Sequence, residues 1–320
     1  METRDIRDLV HFSDDQARRG TLFETGRLWS EVICLQAAQG VGPMVDDEAD
    51  GVLTVLAGEV ATQIGNGRAR MRQWESALVQ AGEELTLRNA SSEPSVVLLH
   101  HGANSLRSWD PFLPEIAGGR RVIAYDRRGF GCSPRNAVLD VGLFDRDADE
   151  VAELLRERDA KPAHLVGFSD GATVALVAAV RHPELVLSVT AIGNHIRLDR
   201  ETHELLLAGG PEIPPGRHAE YRERHGADWE PVVRGWYELW TRTLVDWDIE
   251  ESLKATRAPV LVVHDRNDPL SPREHAEGVI RSVPHASLSW YDTGRHGPHL
   301  VERERFAREL EEHLRESETA

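Results

Sequence analysis

Gly167-Phe168-Ser169-Asp170-Gly171 is a G-x-S-x-G pentapeptide that follows the apolar run His164-Leu165-Val166 and precedes a helical pattern from about Ala172 to Arg181. A strand that turns sharply on glycines into a helix lifts its serine hydroxyl above the sheet, at the positive end of the helix. That is the placement a nucleophile for acyl transfer needs; a serine that merely caps a helix is the plainer alternative. A serine hydroxyl is weakly nucleophilic at neutral pH, so the chemistry requires a base and an acid to orient it. Asp268, in Asp265-Arg266-Asn267-Asp268-Pro269-Leu270-Ser271-Pro272, follows the apolar run Val260 to Val263. His296 sits in the glycine-rich Gly294-Arg295-His296-Gly297-Pro298-His299 after a later apolar run. Asp265 and His299 stand beside them as an alternative acid and base. A developing oxyanion also needs two N–H donors. The amides of Asp170 and of Ala103, in His100-His101-Gly102-Ala103-Asn104, are the candidates, with Asn104 as the alternative to Ala103. The His100-His101 pair lacks a third ligand at useful spacing, so no metal site is expected there.

These residues need a scaffold that brings distant loops to one edge. After Glu93, apolar strands alternate with amphipathic helices: strands Val96 to Leu99, Arg121 to Tyr125, Ala163 to Val166, Leu187 to Ile192, Val260 to His264 and Ala286 to Trp290, with helices near Phe144 to Arg158, Arg273 to Val283 and Glu302 to Arg315. That alternation predicts a parallel α/β sheet, with site residues in loops at the carboxyl ends of its strands. Residues Leu198 to Leu253 interrupt it and carry Trp229, Trp236, Trp240 and Trp247, which predicts a helical cap over the sheet. Within it, Gly209 to Gly216 reads as a proline- and glycine-rich loop. Before Glu93 the pattern is short β-rich runs, Glu31 to Leu35, Val52 to Leu56, Glu59 to Ile64, Arg68 to Arg72 and Glu84 to Arg88, with a tight hairpin at Gly65-Asn66. An all-β unit over residues 1–93 and an α/β unit over 94–320 are therefore expected, although Ala77 to Asn89 could serve as strands of either.

Composition narrows the function. The 320 residues are 40% hydrophobic and 28% charged, a balance that predicts a chain folded in water rather than a disordered or membrane-embedded one. No apolar run approaches the roughly 18 residues that span a bilayer. The start, Met-Glu-Thr-Arg-Asp, has no apolar core and is not expected to be a signal peptide. The net charge of −17 is spread over both halves, which argues against nucleic acid and anionic lipid as partners. Cys34 and Cys132 form no zinc or redox spacing, which fits a reducing compartment, the cytoplasm by default.

Taken together, His101-Gly102, Tyr125-Asp126-Arg127-Arg128-Gly129-Phe130-Gly131-Cys132-Ser133, the Ser169 elbow, Asp268-Pro-Leu-Ser-Pro and His296-Gly-Pro-His-Leu resemble the α/β-hydrolase superfamily from about Ser95 to the C-terminus. The elbow and the Asp268 segment resemble, more loosely, the biphenyl-hydrolase-like, valacyclovirase-type esterases. The resemblance implies a cofactor-free hydrolase of esters, lactones or related bonds that uses the chain order Ser169, Asp268, His296. It also implies that the Asp170 side chain is associated with the ammonium of amino-acid esters, beside the plainer reading of a structural aspartate. Gly58-Glu59, the Gly65 hairpin and Ala81-Gly82-Glu83-Glu84-Leu85-Thr86-Leu87-Arg88-Asn89 resemble the second half of a cupin barrel. Leu85 occupies the place of a cupin metal-binding histidine, no histidine lies between His11 and His100, and Asp46, Asp47, Glu48 and Asp50 read as a solvated face, so the barrel is expected to be metal-free. A homodimer is expected through such barrels. The leading expectation is a serine hydrolase acting on a small carboxylic ester. A ligand-binding or sensory cupin fused to a silent hydrolase scaffold, a lactonase and a carbon–carbon bond hydrolase are the alternatives.

Overall fold

The computed structural model describes residues 3–13, 15–36, 39–89, 94–112, 120–158, 160, 162–208, 213 and 215–319. The chain divides into two compact units, Met1–Glu93 and Pro94–Ala320. Glu93 itself lies outside the described residues.

The first unit contains strands β1 (Arg18–Glu24), β2 (Trp29–Cys34), β3 (Gly40–Met44), β4 (Gly51–Thr54), β5 (Glu59–Ile64), β6 (Gly67–Arg72), β7 (Ser76–Val79) and β8 (Leu85–Asn89). They pair as a β1-β2 ribbon, a four-stranded β3-β8-β5-β6 sheet and a β4-β7 ribbon. The β5–β6 hairpin turns on Gly65-Asn66, with Ile64 opposite Gly67 and Gly65 at φ +52°, a conformation that suits a residue without a Cβ. Val55, Val60, Met71 and Leu87 are buried between these sheets, and Leu85 packs against them. Among the described residues the three sheets stay separate, so the expected cupin-like barrel is represented only by an open set of small sheets. Strands of four residues, such as β4 and β7, offer few backbone groups with which to extend a ladder. Both β7 and β8 belong to this unit's sheets, through pairing with β4 and with β3 and β5.

The second unit is a six-stranded sheet in the order β10-β9-β11-β12-β13-β14, formed by β9 (Ser95–Leu99), β10 (Val122–Ala124), β11 (Ala163–Phe168), β12 (Val186–Ile192), β13 (Val260–Asp265) and β14 (Ala286–Tyr291). Every ladder is parallel. Successive side chains point to opposite faces, so near-continuous apolar strands need a helical layer on each side. Val97 and Leu99 face helices α1 (Leu143–Glu157), α2 (Asp170–Arg181) and α6 (Arg273–Ser282), whereas Val96 and Leu98 face Trp109, Phe112 and the closing helix α7 (Arg303–Thr319). Helix α2 starts at Asp170, two residues earlier than the sequence pattern predicts, because the turn from β11 is completed within Ser169.

The interruption after β12 is helical as expected. It comprises α3 (Arg200–Ala208), α4 (His218–His225), α5 (Trp229–Glu238) and a π-helical turn, Leu239–Thr243. Of the loop expected at Gly209 to Gly216, residues 209–212 and 214 lie outside the described residues. Its neck is closed by the Arg197–Asp248 bridge and by hydrogen bonds from Leu198 N to Trp247 O and from Ile249 N to Ile196 O, both 2.8 Å. Among the described residues no helix is long and apolar enough to cross a membrane.

Candidate active site

Ser169 lies between the buried strand β11 and the first residue of α2, with φ 55° and ψ −119°. A non-glycine residue in that region is strained, and such strain persists only where its surroundings hold it. Here they do. The Ser169 amide donates to the Ile192 carbonyl at the end of β12, over 2.8 Å. Gly167 and Gly171 let the turn close: a Cβ on Gly167 would run into the Gly171 carbonyl, and one on Gly171 into the Leu99 carbonyl. The elbow is thus locked between the ends of β9 and β12, with its serine at a helix N-terminus.

His296 and Asp268 come together from the loops after β14 and β13. His296 Nδ1 lies 2.8 Å from Asp268 Oδ2, so the proton sits on Nδ1 and Nε2 is free to accept. The Asp268 side chain is fully buried, and its Oδ1 also accepts the amides of Leu270 and Ser271 at 2.8 and 3.0 Å. Burial pushes its pKa up, but the His296 charge, the His296 hydrogen bond and the Leu270 amide outweigh it and hold Asp268 at about 2. The His296 side chain is 14% exposed and lies against Phe168, at 5.2 Å between ring centroids, and against Gly193, which has φ +55°. Phe168 precedes Ser169 and Gly193 follows Ile192, so both contacts tie His296 to the elbow.

The alternative acid and base lie elsewhere. Asp265 is fully buried and accepts the Asn267 amide at 2.9 Å, the Thr293 hydroxyl at 2.7 Å, the Thr293 amide and the Gly294 amide at 3.1 Å. It therefore anchors the loop that carries His296. His299 is buried among Trp109, Phe112, Phe168 and Phe306, where burial first and the His296 charge second lower its pKa to about 3. The His100-His101 pair turns onto its own loop. His100 Nδ1 donates to His101 O at 2.8 Å and its Nε2 accepts from Arg127 N at 3.1 Å, while the Asn104 amide group donates to His101 Nε2. Among the described residues no three His, Cys, Asp or Glu side chains gather to hold a metal. Asp46 and Asp50 instead accept backbone amides, from Glu48 and Ala49 and from Ala81.

Ala103 is buried with φ 50°, its carbonyl accepts from His225 Nε2 of α4 at 3.1 Å, and it packs with Tyr221, Trp229 and Val233 of the cap. Asn104 is buried beside it and uses its Oδ1 on the Ser105 amide. An arginine near a structural Asp170 is within the plainer reading of the sequence, but its two indole partners are not foreseen there. Trp236 Nε1 donates to its Oδ2 at 2.8 Å, Trp240 Nε1 donates to its Oδ1 at 3.2 Å, and Arg127 Nη2 lies 3.9 Å away. Arg127 is itself buried on Asp147, at 2.6 Å. The density of tryptophans in the cap was the one sequence feature that pointed toward these partners.

A family model described as the alpha/beta hydrolase fold matches residues 94–230. The human serine hydrolase BPHL is 28% identical over 204 residues, covering 59% of this chain and 66% of that one. RutD of Stutzerimonas stutzeri (strain A1501), which bears the name of a carbamate hydrolase, is 26% identical over 257 residues, covering 73% of this chain and 96% of that one. The structure of 2-hydroxy-6-oxo-6-phenylhexa-2,4-dienoate hydrolase from Rhodococcus sp. strain RHA1 aligns at a TM-score of 0.60 with 22% identity, over 70% of this chain and 91% of that one. With a parallel six-stranded sheet and a serine elbow after β11, the unit that follows Glu93 has the α/β-hydrolase fold.

Proposed function

We propose that the chain is a serine hydrolase that cleaves a small carboxylic ester or related acyl bond through Ser169, His296 and Asp268. The observation that carries this reading is the His296–Asp268 hydrogen bond beside the strained Ser169 elbow. In the first half-reaction the Ser169 Oγ forms a bond to the acyl carbon while its proton passes to His296 Nε2. Asp268 holds the imidazole in the right tautomer and stabilises the imidazolium. The carbonyl electron pair moves onto oxygen, where the amides of Ala103 and Asp170 are the assigned donors. Collapse breaks the bond to the leaving group, which takes the proton from His296. Water then repeats the sequence on the acyl-enzyme and regenerates Ser169.

The sequence of proton transfers is the same for an ester, a lactone or a carbamate, and the RutD relatives bring the last into the test. No cofactor enters any step. The first unit is proposed as a cupin-like appendage without a metal, because Leu85 is committed to its apolar core. A cytoplasmic setting is proposed from the two free cysteines. The test is stoichiometric labelling by a fluorophosphonate together with turnover of aryl ester, lactone and carbamate substrates. Labelling lost in Ser169→Ala supports the reading, whereas a wild-type protein neither labelled nor active on any of the three would overturn it in favour of a silent scaffold.

A further inference from the structure

The Asp170 side chain has no part in the acyl-transfer steps above, although it adjoins the nucleophile and is 1% exposed. A buried carboxylate is tolerated only where hydrogen bonds and charge replace the water it has lost. Two indole N–H groups and the Arg127 guanidinium do so here. Trp236 and Trp240 are four residues apart, one on α5 and one on the π-helical turn, so a single face of the cap delivers both N–H groups to one carboxylate. The same place bounds the loop after β9. A Cβ on Gly102 would collide with Trp236 Nε1 and Asp170 Oδ2, and the next residue, Ala103, packs against Tyr221, Trp229 and Val233. Elbow, cap and loop therefore meet at one carboxylate.

We propose that Asp170 is a positioning residue whose carboxylate pins Trp236 and Trp240, seats the cap against the Gly102–Ala103 loop and thereby sets the oxyanion donor of Ala103. With both oxygens committed to the cap, it does not receive a substrate ammonium. The inference rests on the acyl-transfer reading of the site.

Wild type, Asp170→Asn, Trp236→Phe and Trp240→Phe are compared in three measurements. Amide hydrogen exchange over residues 229–243 and 102–106 reports cap seating. The parameters kcat and KM are taken on an α-amino ester and its des-amino analogue, and the affinity for an arylboronic acid reports binding of a tetrahedral adduct. Trp236→Phe keeps the ring and removes one N–H. It is expected to speed exchange in both segments, to lower kcat by about 10-fold with KM within about twofold, and to weaken the boronate by a similar factor. A purely structural role would change exchange without the matched loss of kcat and boronate affinity. In wild type the des-amino ester is expected to be hydrolysed at least as fast as the amino ester. A wild-type preference for the amino ester that vanishes in Asp170→Asn would overturn the proposal, as would unchanged exchange and kcat in all three variants. Failure of the acyl-transfer reading would show separately, as no labelling of Ser169 and no turnover of either ester, and exchange at 229–243 in Asp170→Asn would still decide the anchoring role.

Discussion

His296 Nδ1 donates to Asp268 Oδ2 over 2.8 Å, whereas Asp265, three residues before Asp268, binds Thr293 and Gly294 just ahead of that histidine. One carboxylate orients the imidazole and the other positions the loop that carries it. Asp268→Asn is therefore expected to lower kcat by roughly 10³-fold and, because Asp268 also accepts the buried Leu270 and Ser271 amides, to lower the melting temperature as well. Asp265→Asn removes an acceptor of several buried bonds, with an expected stability loss of about 1–3 kcal/mol and a smaller fall in rate. Steady-state kinetics and thermal melts on both variants check this, and an inactive Asp265→Asn beside an active Asp268→Asn would reverse the assignment.

Ser169→Ala and His296→Ala should each lower turnover by roughly 10³-fold or more, and the double variant should lose little further, because the residues act as a unit. His299 fills an aromatic cluster, so His299→Phe is expected to keep most of the activity, while His299→Ala opens a cavity and melts earlier. Loss of turnover in His299→Phe with a native melt would show His299 to be the base.

Acid should draw on the buried histidines of the second unit. Burial first holds His164 and His195 at about 4, His299 at about 3 and His275 at about 2, against about 6.5 in an unfolded chain. The folded chain then binds fewer protons than the unfolded one between those values and pH 6.5. The stability is complete above about pH 6.5 and is lost as pH falls toward the folded values, at up to about 5 kcal/mol per pH unit from these four histidines. Asp147, Glu150 and Asp170, whose carboxyls burial pushes upward, act in the opposite sense. Urea midpoints between pH 7 and pH 5 should fall, and imidazole ring chemical shifts showing these four histidines protonated at pH 6 in the folded protein would contradict the account.

Leu85 packs with Val60, Met71 and Leu87, and residues 12–99 contain no histidine. Purified protein is accordingly expected to carry no stoichiometric zinc, iron or manganese, and chelator should leave ester hydrolysis unchanged. Elemental analysis showing about one such ion per chain would contradict this.

Motif and context made Ser169, Asp268 and His296 legible, because each follows an apolar run that had to be a strand and the chemistry constrains the residue type. The Asp170 clamp was not legible, since Trp236 and Trp240 lie 66 and 70 residues away and no local pattern specifies which buried carboxylate an indole will meet. Nearness to the end of its strand sets Asp265 apart from Asp268 in the sequence, but its role on the Thr293-Gly294 loop is not readable there, because it depends on the path of a loop some 28 residues away. In the first unit the sequence pattern does not mark β1 and β3. The burial of β1 alternates weakly, and β3 contains two glycines and a proline, residues that argue against a strand.

Gly193 supplies a test of His296 placement that removes no reacting group. Its φ is +55°, and a Cβ there would lie 2.9 Å from the His296 carbonyl oxygen and 3.1 Å from its Cε1. The backbone contact cannot give without moving the loop, and the ring contact bears on the imidazole that must face Ser169. Gly193→Ala is therefore expected to lower kcat by about 10–100-fold with KM little changed, since a misplacement of a few tenths of an ångström to 1 Å is enough to spoil proton transfer. The low-field proton resonance of His296 Nδ1–H should shift or broaden in the same variant as its bond to Asp268 is disturbed. A kcat within about twofold of wild type, with that resonance unmoved, would show that Gly193 does not set the position of the base.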